Sequence, residues 1–161
     1  MDLCITSGSK GGTGKTTFAE VMAYVWSVIS GAPIRVAKPL GRSSSVVDFP
    51  AFQLTDRRYL ERFLRCKHVV YVVDEDLETV RAVEILHAVA RGEVLGVILN
   101  KVLGKPGREF TRLYRWMGEV YVVHFDERLA IHRSVGVPPF KMRSIAVLEM
   151  AKAAVDIINK L

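Results

Sequence analysis

Two lysines and three glycines near the start of the chain, in the run Ser9-Lys10-Gly11-Gly12-Thr13-Gly14-Lys15-Thr16-Thr17, have the types and spacing to hold phosphate. Glycines let backbone amides curl around phosphate oxygens. A helix starting at Lys15 points its positive end at them, and Lys15 adds a mobile cation for the β and γ phosphates. Thr16 is placed to ligate magnesium. The run meets the pattern G-x-x-x-x-G-K-[ST] except at its first glycine, where Ser9 stands. It predicts a site for a nucleoside triphosphate with magnesium.

Two later segments fit the same chemistry. Val46-Val47-Asp48 is an apolar strand ending in a carboxylate, and at a strand's carboxyl end Asp48 can hold a magnesium-bound water. Asn100 follows the apolar run Val94 to Leu99. Its amide both donates and accepts, which suits an adenine edge, although asparagine after a strand is also a common turn residue. Asn100-Lys101-Val102-Leu103 has leucine where the guanine-reading pattern N-K-x-D requires a carboxylate, so ATP is expected over GTP.

Such a site needs a parallel sheet to position it. Apolar runs alternate with helical patterns, the mark of βαβ units. Strands are predicted at Leu3 to Thr6, Ile34 to Ala37, Ser45 to Asp48, His68 to Val73, Val94 to Leu99 and Val120 to Val123. Helices are predicted at Lys15 to Ile29, Asp56 to Leu64, Leu77 to Ala90, Gly107 to Met117 and Ser144 to Asn159. Phe18, Val21, Met22, Val25 and Ile29 make one apolar helix face. With 161 residues, half of them hydrophobic and a quarter charged, the chain reads as one α/β domain over residues 1–161. Its expected form is a doubly wound, mostly parallel sheet with helices on both faces.

Cys4 and Cys66 lack the paired spacing of a zinc or iron–sulfur site and are expected to be reduced thiols. No apolar stretch approaches membrane-spanning length, no signal peptide is evident, and a cytoplasmic protein is expected. The net charge of +6 permits polyanion binding. Two helices carry its candidate stripes, Arg57, Arg58, Arg62 and Arg65 on one and Arg108, Arg112 and Arg115 on the other. Solvated helices of a thermophile, suggested by one glutamine and two asparagines, are the preferred reading over nucleic acid. The chain ends inside its last packing helix, so no lipid-binding tail is expected.

Lys10-Gly11-Gly12-x-Gly14-Lys15-Thr16-Thr17 resembles the deviant Walker A motif of the MinD/ParA family of dimerising ATPases. That resemblance implies an ATP-dependent homodimer in which Lys10, with Lys15 a catalytic candidate, reaches the partner's phosphates. It implies phosphate-loop contacts from Gly11, Gly12, Thr13, Gly14, Lys15, Thr16 and Thr17, magnesium held by Thr16 and Asp48, and an adenine contact from Asn100. The segment from His124 to Ile131 resembles the family's base-flanking loop, which puts Asp126 beside the base; His124 stands where relatives have proline.

Typical members are considerably longer, with an insert before the Asp48 strand and a water-orienting aspartate after the second strand. Here Lys38, Pro39 and Arg42 occupy that neighbourhood. Asp74-Glu75-Asp76 also departs from the family, and Asp76 before Leu77 reads as a helix cap. The implied function is a nucleotide-dependent dimeric switch with slow or absent hydrolysis and an unidentified protein partner. A non-hydrolysing regulatory module and a small-molecule kinase are the alternatives.

Overall fold

In the computed structural model, which describes residues 2–161, strand β1 (Leu3–Thr6) is buried along its whole length. An apolar run without alternation belongs inside a sheet covered on both faces, and β1 lies in the middle of six parallel strands. The others are β2 (Val36–Ala37), β3 (Val46–Asp48), β4 (His68–Val73), β5 (Glu93–Val102) and β6 (Val120–His124), in the order β2-β3-β1-β4-β5-β6. Side chains divide between two cores by their period of two. Leu3, Ile5, Val46, Val70 and Val72 enter one core, and Cys4, Val47, Val69, Tyr71 and Val73 the other.

The first core is closed by α1 (Lys15–Ser30) and α6 (Ile145–Ile158), through Phe18, Val21 and Met22 facing Met150, Ala153 and Ile157. The second is closed by α2 (Arg57–Leu64), α3 (Leu77–Val89) and α4 (Arg108–Arg115), with Phe63, Val83, Leu86 and Tyr114 inward. A short helix, α5 (Glu127–Ser134), and a 3₁₀ turn at Pro139–Lys141 lead into α6. The expected doubly wound α/β architecture is observed.

Three differences from the expected elements have physical causes. Strand β5 continues beyond Leu99 to Val102 through a register shift against β6. Strand β2 shrinks to two residues at the sheet edge. Residues 38–45 alone connect it to β3, its parallel neighbour, and no helix covers that crossover.

The third difference is a correction. Cys4 and Cys66 are not free thiols; they form a disulfide with a Cα–Cα separation of 6.1 Å. Parallel pairing sets Leu3 opposite His68, and the turn after α2 then brings Cys66 beside β1. The expectation of reduced thiols therefore falls. No helix among the described residues is long and apolar enough to cross a membrane.

Candidate phosphate and base site

Strand β1 delivers the chain into the glycine-rich loop at the carboxyl edge of the sheet. Gly8, Gly12 and Gly14 all have positive φ, which bends the loop back over the start of α1. None of the backbone amides from Gly11 to Thr17 donates to a backbone acceptor among the described residues, and the first helical bond is Phe18 N to Gly14 O. Consecutive unpaired amides at a helix N-terminus form an anion cradle.

Lys15 lies within the loop, its Nζ 3.4 Å from the carbonyl of Lys10. Burial pushes its ammonium below the ordinary lysine value, and Asp48 partly offsets this. A buried cation with so weak a partner suits an anionic ligand.

Thr16 Oγ1 donates to Asp48 Oδ2 at 2.9 Å. The other carboxylate oxygen, Asp48 Oδ1, is buried with no hydrogen-bond partner among the described residues. An orphaned buried carboxylate oxygen calls for a cation or an ordered water, so Thr16 and Asp48 fit magnesium. Thr13 differs from its neighbours: its hydroxyl turns inward to Ser7 Oγ at 2.6 Å, and Ser7 in turn donates to Val72 O. It shapes the loop from beneath.

Asn100 Nδ2 donates to Thr13 O at 2.9 Å, and the next residue's Nζ donates from Lys101 to Gly12 O. A Cβ on Gly14 would sit 2.3 Å from Asn100 Nδ2. Asparagine thus braces the phosphate loop as well as facing a cavity of about 200 Å³ next to it. Lys101 holds φ +60, unusual for a residue with a side chain, and this turn lets both side chains reach the loop. Neither contact was evident from residue types.

The cavity is bounded by Gly14, Thr17, Asn100, Phe125, Asp126 and Met150 among others. Asp126 does border it, but its carboxylate caps α5 through Arg128 N and accepts from Ser144 Oγ. These bonds hold its carboxyl below the usual range, the Ser144 contact contributing most. His124 is fastened on two sides, Nδ1 to Glu149 Oε2 at 2.9 Å and Nε2 to Gly104 O at 2.8 Å.

Lys10 turns toward α3, with Nζ 3.2 Å from both Asp76 Oδ2 and Glu78 Oε2. Asp76 is the N-cap of α3, accepting from Glu78 N, as the cap reading expects. Asp74 accepts from Thr79 Oγ1, and Glu75 Oε2 accepts from Gly107 N at 2.7 Å. The basic stripe expected on α2 is broken, because Arg62 is paired with Asp2 at 2.7 Å.

A parallel sheet with an amide cradle, a buried lysine and a threonine–aspartate pair at its carboxyl edge defines the P-loop NTPase fold. The chain is similar in structure to the MinD cell division protein of Aquifex aeolicus, at 10% identity over 99% of this chain and 98% of that one, with a TM-score of 0.72. It is also similar to the septum site-determining protein MinD of Pyrococcus horikoshii complexed with Mg-ADP (17% identity, 96% and 94% coverage, TM-score 0.65). A third likeness is to a Cyanothece McdA variant in complex with ATP (11% identity, 99% and 96% coverage, TM-score 0.59). No family model matches the chain, and no curated protein matches it. At these identities the likeness establishes a MinD/ParA-like fold.

Proposed function

We propose that this chain binds ATP with magnesium and acts as a nucleotide-dependent dimeric switch that turns over slowly. The observation that carries the reading is the orphaned Asp48 Oδ1 beside Thr16, at the mouth of the unpaired amides. The amides and Lys15 hold the phosphates, Thr16 and Asp48 hold magnesium, and the base enters the cavity beyond Asn100. Bound magnesium would neutralise charge on the β and γ phosphates. The nucleotide complexes of the MinD and McdA neighbours support this assignment.

Slow turnover follows from what surrounds the phosphates. The loop after β2 offers Lys38 and Arg42 and no carboxylate. The acids that follow β4 are each engaged elsewhere, Asp74 with Thr79, Glu75 with Gly107 and Asp76 with Lys10. In this arrangement none of these three acids is free to orient an attacking water, while ground-state phosphate contacts persist.

A non-hydrolysing module that docks a protein partner is the second reading, favoured by the same missing carboxylate. Calorimetry with magnesium and ATP, ADP or GTP, light scattering at saturating ATP, and single-turnover hydrolysis test all of this. Tight ATP binding, weaker GTP binding, a dimer and slow hydrolysis are expected. Brisk turnover by the protein alone, or a monomer at saturating ATP, would overturn the switch. Absence of ATP binding would overturn both readings.

A further inference from the structure

On the face of the molecule formed by α4, Arg108, Arg112 and Arg115 are spaced by four and three and so lie on one side of the helix. None of the three forms an ion pair or a side-chain hydrogen bond among the described residues; the paired arginines, Arg62 with Asp2 and Arg133 with Glu20, lie elsewhere. Glu109, the one acid in α4, engages none of them. A thermophile surface uses its charges in ion-pair networks. These arginines form no such network, so their guanidinium groups are open to an external anion.

Trp116 directly follows them and is 68% exposed. Its ring meets His87 edge-on, with centroids 6.0 Å apart and planes at 85°, and His87 Nδ1 is in turn 2.9 Å from Tyr71 OH. A large apolar ring is thus kept at the surface in a defined orientation beside three cations. Arg108, Thr111, Arg112, Arg115 and Trp116 together line a cleft of about 420 Å³.

We propose that this cleft binds single-stranded nucleic acid, with backbone phosphates along the arginines and one base stacked on the Trp116 indole. Cations that follow a backbone together with an aromatic platform are the chemistry of sequence-tolerant single-strand binding. Duplex DNA has no exposed base face for the indole, and an anionic membrane would need a broader apolar face than one tryptophan. The proposal does not depend on the nucleotide reading, since the cleft shares no residue with the phosphate loop.

The test is fluorescence anisotropy of a fluorescein-labelled oligothymidylate of about 15 nucleotides, within the span of such grooves, over a salt series. Circular dichroism would confirm that each variant is folded. Trp116→Ala should weaken binding about tenfold, and Trp116→Phe should recover most of the loss. Arg112→Glu with Arg115→Glu should weaken it further and reduce the salt slope by about one for each phosphate contact removed. Lys15→Ala should leave strand binding unchanged even where it abolishes ATP binding. The proposal is overturned by no binding at low salt, or by an unchanged affinity in Trp116→Ala. It is equally overturned if Arg57→Glu with Arg58→Glu on α2 costs as much as the α4 pair, or if Lys15→Ala releases the strand. Tighter binding of a duplex of equal length, or of phosphatidylserine vesicles, would reassign the surface.

Discussion

Lys10 Nζ stands 3.2 Å from Asp76 Oδ2, so the lysine proposed to serve a second protomer is held by the N-cap of α3 in its own. Glu78 holds it from the other side at 3.2 Å. The pair is half-buried and open to solvent on one side, so it can be exchanged, and a partner's triphosphate offers more negative charge than two carboxylates. Lys10→Ala should therefore weaken the ATP-dependent dimer more than ATP binding itself. Asp76→Ser with Glu78→Gln keeps a cap acceptor and releases Lys10, so the dimer should tighten. Light scattering across an ATP titration measures both; a double variant that dimerises more weakly contradicts the exchange.

Lys15→Ala should abolish nucleotide binding and leave the fold intact. Among the described residues the ammonium has only the Lys10 carbonyl as a hydrogen-bond partner, and burial lowers its pKa, so its removal takes no strong contact from the protein. Calorimetry reads the first effect and thermal unfolding the second. Unchanged ATP affinity would sink the site assignment.

Gly14→Ala should cost about 2 kcal/mol or more from its φ of +98 alone, with a further clash against Asn100. Asn100→Ala leaves the buried Thr13 carbonyl without its donor, worth about 1–2 kcal/mol. The two changes combined should be less than additive, because truncating Asn100 removes the clash. Denaturant unfolding of the four proteins in the cycle gives the coupling. Strict additivity would mean that the two side chains do not meet.

The stability contributed by His124 should depend on pH. Both ring nitrogens face acceptors, Glu149 and the Gly104 carbonyl, and both are satisfied only when the ring carries two protons. Glu149 chiefly, with Gly104, raises its pKa above the ordinary imidazole value. A raised folded-state value means the contribution is complete below about pH 6.5, the unfolded value, and is lost as pH rises through the folded one. The gap in unfolding temperature between the native protein and His124→Gln should narrow from acid to mildly alkaline pH. A gap that stays constant would remove the imidazolium from the account.

The Cys4–Cys66 bridge closes a span of 62 residues, for which chain entropy gives a stabilisation of about 4 kcal/mol. Cys4→Ala with Cys66→Ala should lower denaturant stability by up to that amount. Because both cysteines are buried, a reductant should act slowly on the folded protein and rapidly once denaturant is added. Equal rates would argue that the bridge opens by local motion.

Much of this molecule was legible before folding was considered, for reasons of range. The phosphate loop is one contiguous run in which glycine, lysine and threonine act on the backbone next to them, so Lys15, Thr16 and the start of α1 follow from local order. Six apolar runs between helical patterns required a parallel sheet, because runs without alternation must be covered on both faces. Asp76 as a cap needed only its place before Leu77.

Tertiary structure alone decided what depends on which strand lies beside which. Cys4 meets Cys66 because β1 pairs with β4, and Asn100 and Lys101 reach the loop because β5 shifts register past Leu99. Lys10 finds Asp76 because the loops after β1 and β4 emerge side by side. Each of these pairs is more than sixty residues apart in sequence. Residue type states what a side chain can bond to, and the order of strands in the sheet determines which partner comes within reach.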